Sequence, residues 1–130
     1  EEDFDAFAAL TAAYHLHVSA GQHCYPLIIT DDLTTTNLER LTHAVLKKAG
    51  NAILIKPNQI GTLSETIDAI RYAHAHGWKY IISHRSGETM DTYIADIALG
   101  TGAWGLKAGA PGRPERMVKY NRILALEHLL

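Results

Sequence analysis

Tyr80-Ile81-Ile82-Ser83-His84-Arg85-Ser86-Gly87-Glu88-Thr89 passes from an apolar run into a cluster of hydroxyl, imidazole, guanidinium and carboxylate groups. A strand that ends this way presents donors to an anion at its carboxyl end, where α/β folds place their chemistry. The pattern recurs along the chain. Pro26–Thr30 runs into Asp31-Asp32, Ala52–Ile55 into Lys56, Lys79–Ile82 into Ser83-His84-Arg85, and Ala103–Leu106 into Lys107. The runs are apolar without alternation, which predicts burial on both faces, as in a parallel sheet.

Helical patterns separate these runs. Leu38, Leu41, Val45 and Leu46 mark one apolar face, with Thr36 and Glu39 as its expected capping box. Ile67, Ile70 and Ala73 mark another, opened by Thr62 and Glu65 and stopped by Gly77. A third helix is expected from Met90 to Leu99, and a last one from Pro114 to Leu130, with Pro114 suited to the first turn. A leading helix, Phe4 to Ala13, precedes them all. The predicted order is one helix and then four parallel βα units, an α/β chain over residues 1–130 read as a single domain. A full (β/α)8 barrel takes about 250 residues, so the chain reads as half a barrel, with a small doubly wound sheet as the rival. Half a barrel alone exposes strand edges, and the expectation is closure by self-association or by a partner chain.

Bulk properties narrow the function. Of 130 residues, 47% are hydrophobic and 20% charged, and the formal charge is −2, with no basic tract to support nucleic-acid binding. No apolar run approaches the roughly 18 residues that span a bilayer. No signal peptide is visible, and Cys24 is the single cysteine, read as a small buried hydrophobe. A cytoplasmic location is expected. The start on Glu1-Glu2-Asp3 implies a processed chain or a piece of a longer one.

Several residues carry chemistry. Asp31-Asp32 is either a hard ligand for Mg²⁺ or a loop acid. Lys56 is either a partly desolvated general base or a snorkelling surface lysine. Lys107 repeats that case, and the two lysines together favour a common site. His84, Arg85 and Ser86 make an anion clamp, since a guanidinium offers phosphate paired donors. Gly100-Thr101-Gly102-Ala103-Trp104-Gly105 matches a dinucleotide fingerprint by letters only, because a helix precedes it and a strand follows. His15, His17 and His23 are read as chance company in a chain with eight histidines. His74 and His76 are read as helix-end cations.

These motifs, in this order and spacing, resemble the enolase family. The resemblance rests on Asp31 to Asn37, Leu54 to Thr62, Ser83 to Thr89, and Lys107 to Pro111 with Glu115-Arg116 and Lys119-Tyr120-Asn121; Lys56-Pro57-Asn58-Gln59 looks closest to archaeal-type members. The resemblance implies an Mg²⁺-dependent dehydration of 2-phospho-D-glycerate to phosphoenolpyruvate. It implies that Lys56 removes the proton beside the substrate carboxylate and that His84 lines the pocket. Arg85 and Ser86 would bind the phosphate, Lys107 would neutralise the carboxylate, and Asp31 would be one of three Mg²⁺ carboxylates. The other two carboxylates and the acid partner of the leaving hydroxyl belong to the family's earlier segments. Catalysis is therefore expected only with a separate chain or segment that supplies them. Met90, Ala108 and Trp104 depart from the family pattern, and the stretch from Ala12 to Tyr25 is longer than the family's link. A non-catalytic module that binds a phosphorylated three-carbon acid or serves assembly is the alternative, and a degraded or fragmentary gene product is the plainest reading.

Overall fold

A computed structural model describes residues 2–18 and 26–128. Among them are four strands and six helices in alternating order: α1 (Phe4–Val18), β1 (Ile29–Thr30), α2 (Leu38–Lys47), β2 (Ala52–Ile55), α3 (Pro57–Ile60), α4 (Leu63–Ala75), β3 (Lys79–Ser83), α5 (Tyr93–Thr101), β4 (Gly105–Lys107) and α6 (Pro114–Glu127). The strands pair in parallel, Ile29 opposite Ala52 and Thr30 opposite Ile53, then Ile81 opposite Gly105, Ile82 opposite Leu106 and Ser83 opposite Lys107. The expected α/β class with parallel βα units is the observed one. The chain divides into two compact units, residues 1–80 and 81–130, with the boundary inside β3.

In the first unit every residue of β2 is buried, as an uninterrupted apolar run requires. Leu41 and Ala44 of α2 and Ala69, Ile70 and Ala73 of α4 are buried too. In the second unit Ile81, Ile82, Ile94, Ala95, Ala98 and Ala108 form the enclosed apolar set. Alanines on α5 let that helix pack close to its neighbours.

Several boundaries differ from the sequence expectation, each for a local reason. β1 starts at Ile29 and not Pro26, because Asn51 takes over the ladder: its Oδ1 accepts from the Ile28 amide at 2.7 Å and its Nδ2 donates to the Pro26 carbonyl at 3.0 Å. The cap of α2 is Asn37, whose Oδ1 accepts from the Arg40 amide at 3.0 Å; Thr36 sits at φ 56° and is used elsewhere. Thr62 caps α4 as expected, its side chain accepting from the Glu65 amide, while the Glu65 carboxylate accepts from the Thr62 hydroxyl rather than from its amide. α5 starts at Tyr93, since Asp91 Oδ1 accepts the Tyr93 amide and keeps Met90 outside. α5 ends in the left-handed Gly102 and β4 begins three residues later, so the glycine-rich letters make a helix-to-strand turn. β4 starts at Gly105 because the Ala103 amide is spent on the Ala98 carbonyl at 2.9 Å. α1 runs on to Val18, with no glycine or proline between Ala13 and Val18 to stop it. The readings of His23 and Cys24, and the end of α6 at Leu130, fall outside the described residues.

Gly50 allows the turn into β2. Its φ is +144°, and an added Cβ would lie 2.9 Å from Thr30 Cγ2 and 3.0 Å from the Ile28 carbonyl oxygen. Gly50→Ala is expected to destabilise the chain by more than about 1 kcal/mol, read as a lower urea midpoint at unchanged slope. An unchanged midpoint would refute this account of the turn.

Candidate functional site

The strand ends carry the chemistry-bearing side chains. Asp31 follows β1 directly and Lys56 follows β2 directly. Their parallel pairing brings them together: Lys56 Nζ lies 2.5 Å from Asp31 Oδ1, with the lysine side chain 12% exposed and the carboxylate 32%. An ammonium this enclosed, with a carboxylate on it, is held in one place rather than trailing into solvent. The surface-lysine reading of Lys56 does not hold.

The loop from Asp31 to Asn37 is built to keep this pair fixed. Thr30, Thr34 and Thr36 are fully buried. Thr30 Oγ1 lies 3.0 Å from Thr34 Oγ1 and donates to the Ala52 carbonyl at 3.2 Å. The Asp31 carbonyl accepts from the amides of Thr34 and Thr35 at 3.1 and 2.8 Å. Thr36 Oγ1 accepts from the Lys56 amide at 2.8 Å and donates to Gln59 Oε1 at 2.9 Å. Arg40 Nε ties the Leu33 carbonyl to α2 at 2.8 Å. Thr35 and Thr36 lie at φ 47° and 56°, a left-handed conformation that costs a β-branched residue on the order of 1–3 kcal/mol. Strain of this kind persists where surrounding bonds over-determine it. Thr36→Val would leave the Lys56 amide without its acceptor. It is expected to cost about 1–3 kcal/mol and to speed exchange of the Lys56 amide. Wild-type exchange in that variant would contradict the assignment.

In the second unit, Ser83 closes β3 opposite Lys107, the last residue of β4. The His84 amide donates to the Lys107 carbonyl at 2.8 Å, and His84 Nδ1 lies 3.0 Å from the same oxygen. A carbonyl only accepts, so Nδ1 carries the proton and Nε2 is left for a ligand. Arg85, Ser86 and Lys107 are exposed. The Arg85 amide donates to Glu88 Oε1 at 2.8 Å. Burial alone would raise the Glu88 carboxyl, but the Arg85 amide and the Lys119 ammonium hold it below the usual carboxylate range. Lys119 Nζ is 2.7 Å from Glu88 Oε2, and the lysine side chain is 1% exposed. The Tyr93 phenol is raised by burial and by the Glu88 and Asp91 carboxylates. Tyr120 donates its hydroxyl to the Gly109 carbonyl at 2.5 Å, and Arg116 packs where a Gly109 side chain would be.

The first unit thus joins Asp31 with Lys56, and the second gathers His84, Arg85, Ser86 and Lys107. Sequence reasoning passed over the buried threonines and the Glu88–Lys119 pair. The run Thr34-Thr35-Thr36 was a visible signal. The pair was not, because a lysine on an amphipathic helix reads as surface. Of the departures, Ala108 is fully buried, while Met90 and Trp104 are 57% and 60% exposed.

The residues present do not fit Mg²⁺. Among the described residues no group of three or more His, Cys, Asp or Glu side chains is placed to hold a metal. Asp31 already accepts the Lys56 ammonium, and Mg²⁺ sheds its waters only reluctantly. Among the described residues no helix is long and apolar enough to cross a membrane.

Comparison with known proteins places this geometry in a family. The family model for the enolase C-terminal TIM barrel domain matches residues 1–130. The chain is 48% identical over its full length to the enolase of Mycobacteroides abscessus, and spans 28% of that protein. The domain match over residues 1–130, together with that identity, makes this protein a member of the enolase family, matched to its C-terminal barrel domain.

Proposed function

We propose that this chain is the base-bearing and phosphate-binding portion of an enolase-type lyase, which removes water from 2-phospho-D-glycerate to give phosphoenolpyruvate. The observation that carries the reading is Lys56, enclosed at a strand's carboxyl end with its side chain 12% exposed, in a chain of this family. In the reaction the C2 proton leaves to a base and the C3 hydroxyl departs, forming the C2–C3 double bond. Lys56, in its neutral form, takes the C2 proton. Arg85 and Ser86 bind the phosphoryl oxygens, and His84 Nε2 faces the substrate. Lys107 puts positive charge on the substrate carboxylate, where negative charge grows as the proton leaves. The group that assists hydroxide departure, and the carboxylates that would hold Mg²⁺, come from a second polypeptide or segment. The test is phosphoenolpyruvate formation from 2-phosphoglycerate in Mg²⁺, with and without a polypeptide carrying the remainder of an enolase. Turnover only in the mixture is expected. Turnover by the chain alone would refute the dependence, and none in any combination would refute the lyase reading.

A second reading is a non-catalytic module that binds a phosphorylated acid. It is favoured by the Asp31–Lys56 ion pair, in which the two side chains occupy each other. Calorimetry with 2-phosphoglycerate, phosphoenolpyruvate and inorganic phosphate separates the two readings when combined with the turnover assay. Binding unchanged in Arg85→Ala would rule out the clamp in both.

A further inference from the structure

Lys119 is the largest fully enclosed side chain among the described residues. A lysine is almost never fully buried unless paired. Its ammonium has three protons, and three acceptors meet it: Glu88 Oε2 at 2.7 Å, the Thr89 carbonyl at 2.6 Å and the Glu115 carbonyl at 2.7 Å. The Glu115 carbonyl lies one turn back on α6, so the ammonium is anchored to its own helix. The other two acceptors lie on the loop that leaves β3.

Glu88 passes the constraint on. While Oε2 holds Lys119, Oε1 accepts the Arg85 amide at 2.8 Å. The loop is therefore tied at Arg85 through the carboxylate and at Thr89 through its carbonyl. Between these points Gly87 has nothing within 4 Å of where a side chain would start, and Arg85 and Ser86 are exposed. Little packs against the loop at Gly87, and the polar ties at Arg85 and Thr89 hold its two ends. We propose that Lys119 is a positioning residue for an anion-binding loop: acting through Glu88, it fixes Arg85 and Ser86 in the arrangement that receives a phosphoryl group. This rests on the phosphate-clamp reading given above.

The test compares wild type with Lys119→Met and with Lys119→Met/Glu88→Gln. The double variant removes the latch without stranding a half-buried carboxylate, so it stays informative if the single variant does not fold. Arg122→Ala is the control. It cuts the Arg122–Asp96 pair between α6 and α5, with Nη2 to Oδ1 at 2.6 Å, and touches nothing in the loop. Three quantities are read: exchange of the Arg85 amide, thermal midpoint, and calorimetric Kd for 2-phosphoglycerate and inorganic phosphate. The latch variants are expected to raise Arg85 exchange and to weaken 2-phosphoglycerate binding by about tenfold or more. Arg122→Ala is expected to leave both unchanged, with a smaller loss of thermal midpoint, because both partners of its ion pair are 40% exposed. Wild-type Arg85 exchange in the folded double variant would overturn the proposal, as would equal loosening in Arg122→Ala. If wild type binds neither ligand, the phosphate-clamp reading fails and the anion role of the loop with it. The Arg85 exchange comparison would still decide whether Lys119 holds the loop.

Discussion

Replacing Lys56 with alanine is expected to slow removal of the C2 proton of 2-phosphoglycerate by about 10²–10⁴-fold, the usual contribution of a positioned general base. The measurement is loss of deuterium from C2-labelled substrate in a mixture where the remaining barrel segment is supplied. The physical case is local. Lys56 is 12% exposed and follows the fully buried β2. Its amide is fixed by Thr36 at 2.8 Å, so both ends of the residue are restrained. Such restraint gives a base its advantage over one that samples many positions. Binding of 2-phosphoglycerate should change far less than the exchange rate, because the phosphoryl contacts are assigned to Arg85 and Ser86. Equal losses in binding and exchange would move Lys56 from base to binding residue. An exchange rate within a factor of about three of wild type would remove it from the chemistry, given that usual contribution.

Lys119→Met is expected to show the largest loss of stability, about 3–5 kcal/mol, because it leaves the Glu88 carboxylate enclosed without its partner. Against a total of about 5–15 kcal/mol for a typical domain, that is a large share. The effect should depend on pH in a defined direction. In the wild type, burial raises the Glu88 carboxyl, but the Arg85 amide and Lys119 outweigh it and hold it below its ordinary 4.5. A depressed carboxyl contributes stability that is complete above pH 4.5 and is lost as pH falls through the lower folded value. Without Lys119 only the backbone amides of Arg85 and Thr89 still oppose burial, and protonation then relieves the variant. The stability gap between wild type and Lys119→Met should therefore narrow as pH drops from 6 through the region below 4.5. A gap constant across that range, in chemical denaturation at each pH, would mean that Glu88 does not report the missing ammonium.

Much of the arrangement was legible because burial on both faces leaves a strong trace. A strand enclosed on each side must be apolar throughout, so Ala52–Ile55 was placed to the residue, and the first polar residue after each run marked a carboxyl end. The helix limits were read less well. Asn37 displaced Thr36 as the cap of α2 because the Thr36 hydroxyl is committed to the Lys56 amide and to Gln59. Pro26 looked like part of β1 until the Asn51 side chain replaced the ladder bonds there. Both corrections come from side-chain amides and hydroxyls competing with the backbone, which periodicity does not register.

The sequence by itself determined the parallel α/β organisation, the strand-end positions of Asp31, Lys56, His84 and Lys107, and the family resemblance that the full-length match bears out. Those follow from local pattern, since hydrophobic runs and turn residues act on the chain where they stand. Only the tertiary structure decided that the Lys56 ammonium rests on Asp31, that two threonines hold a strained left-handed turn beside it, and that Lys119 is buried beneath the loop bearing Arg85 and Ser86. Each of these depends on which distant acceptor reaches a charge or hydroxyl once the elements pack. A lysine carries the same letter whether it is solvated or enclosed, and its surroundings alone set the difference.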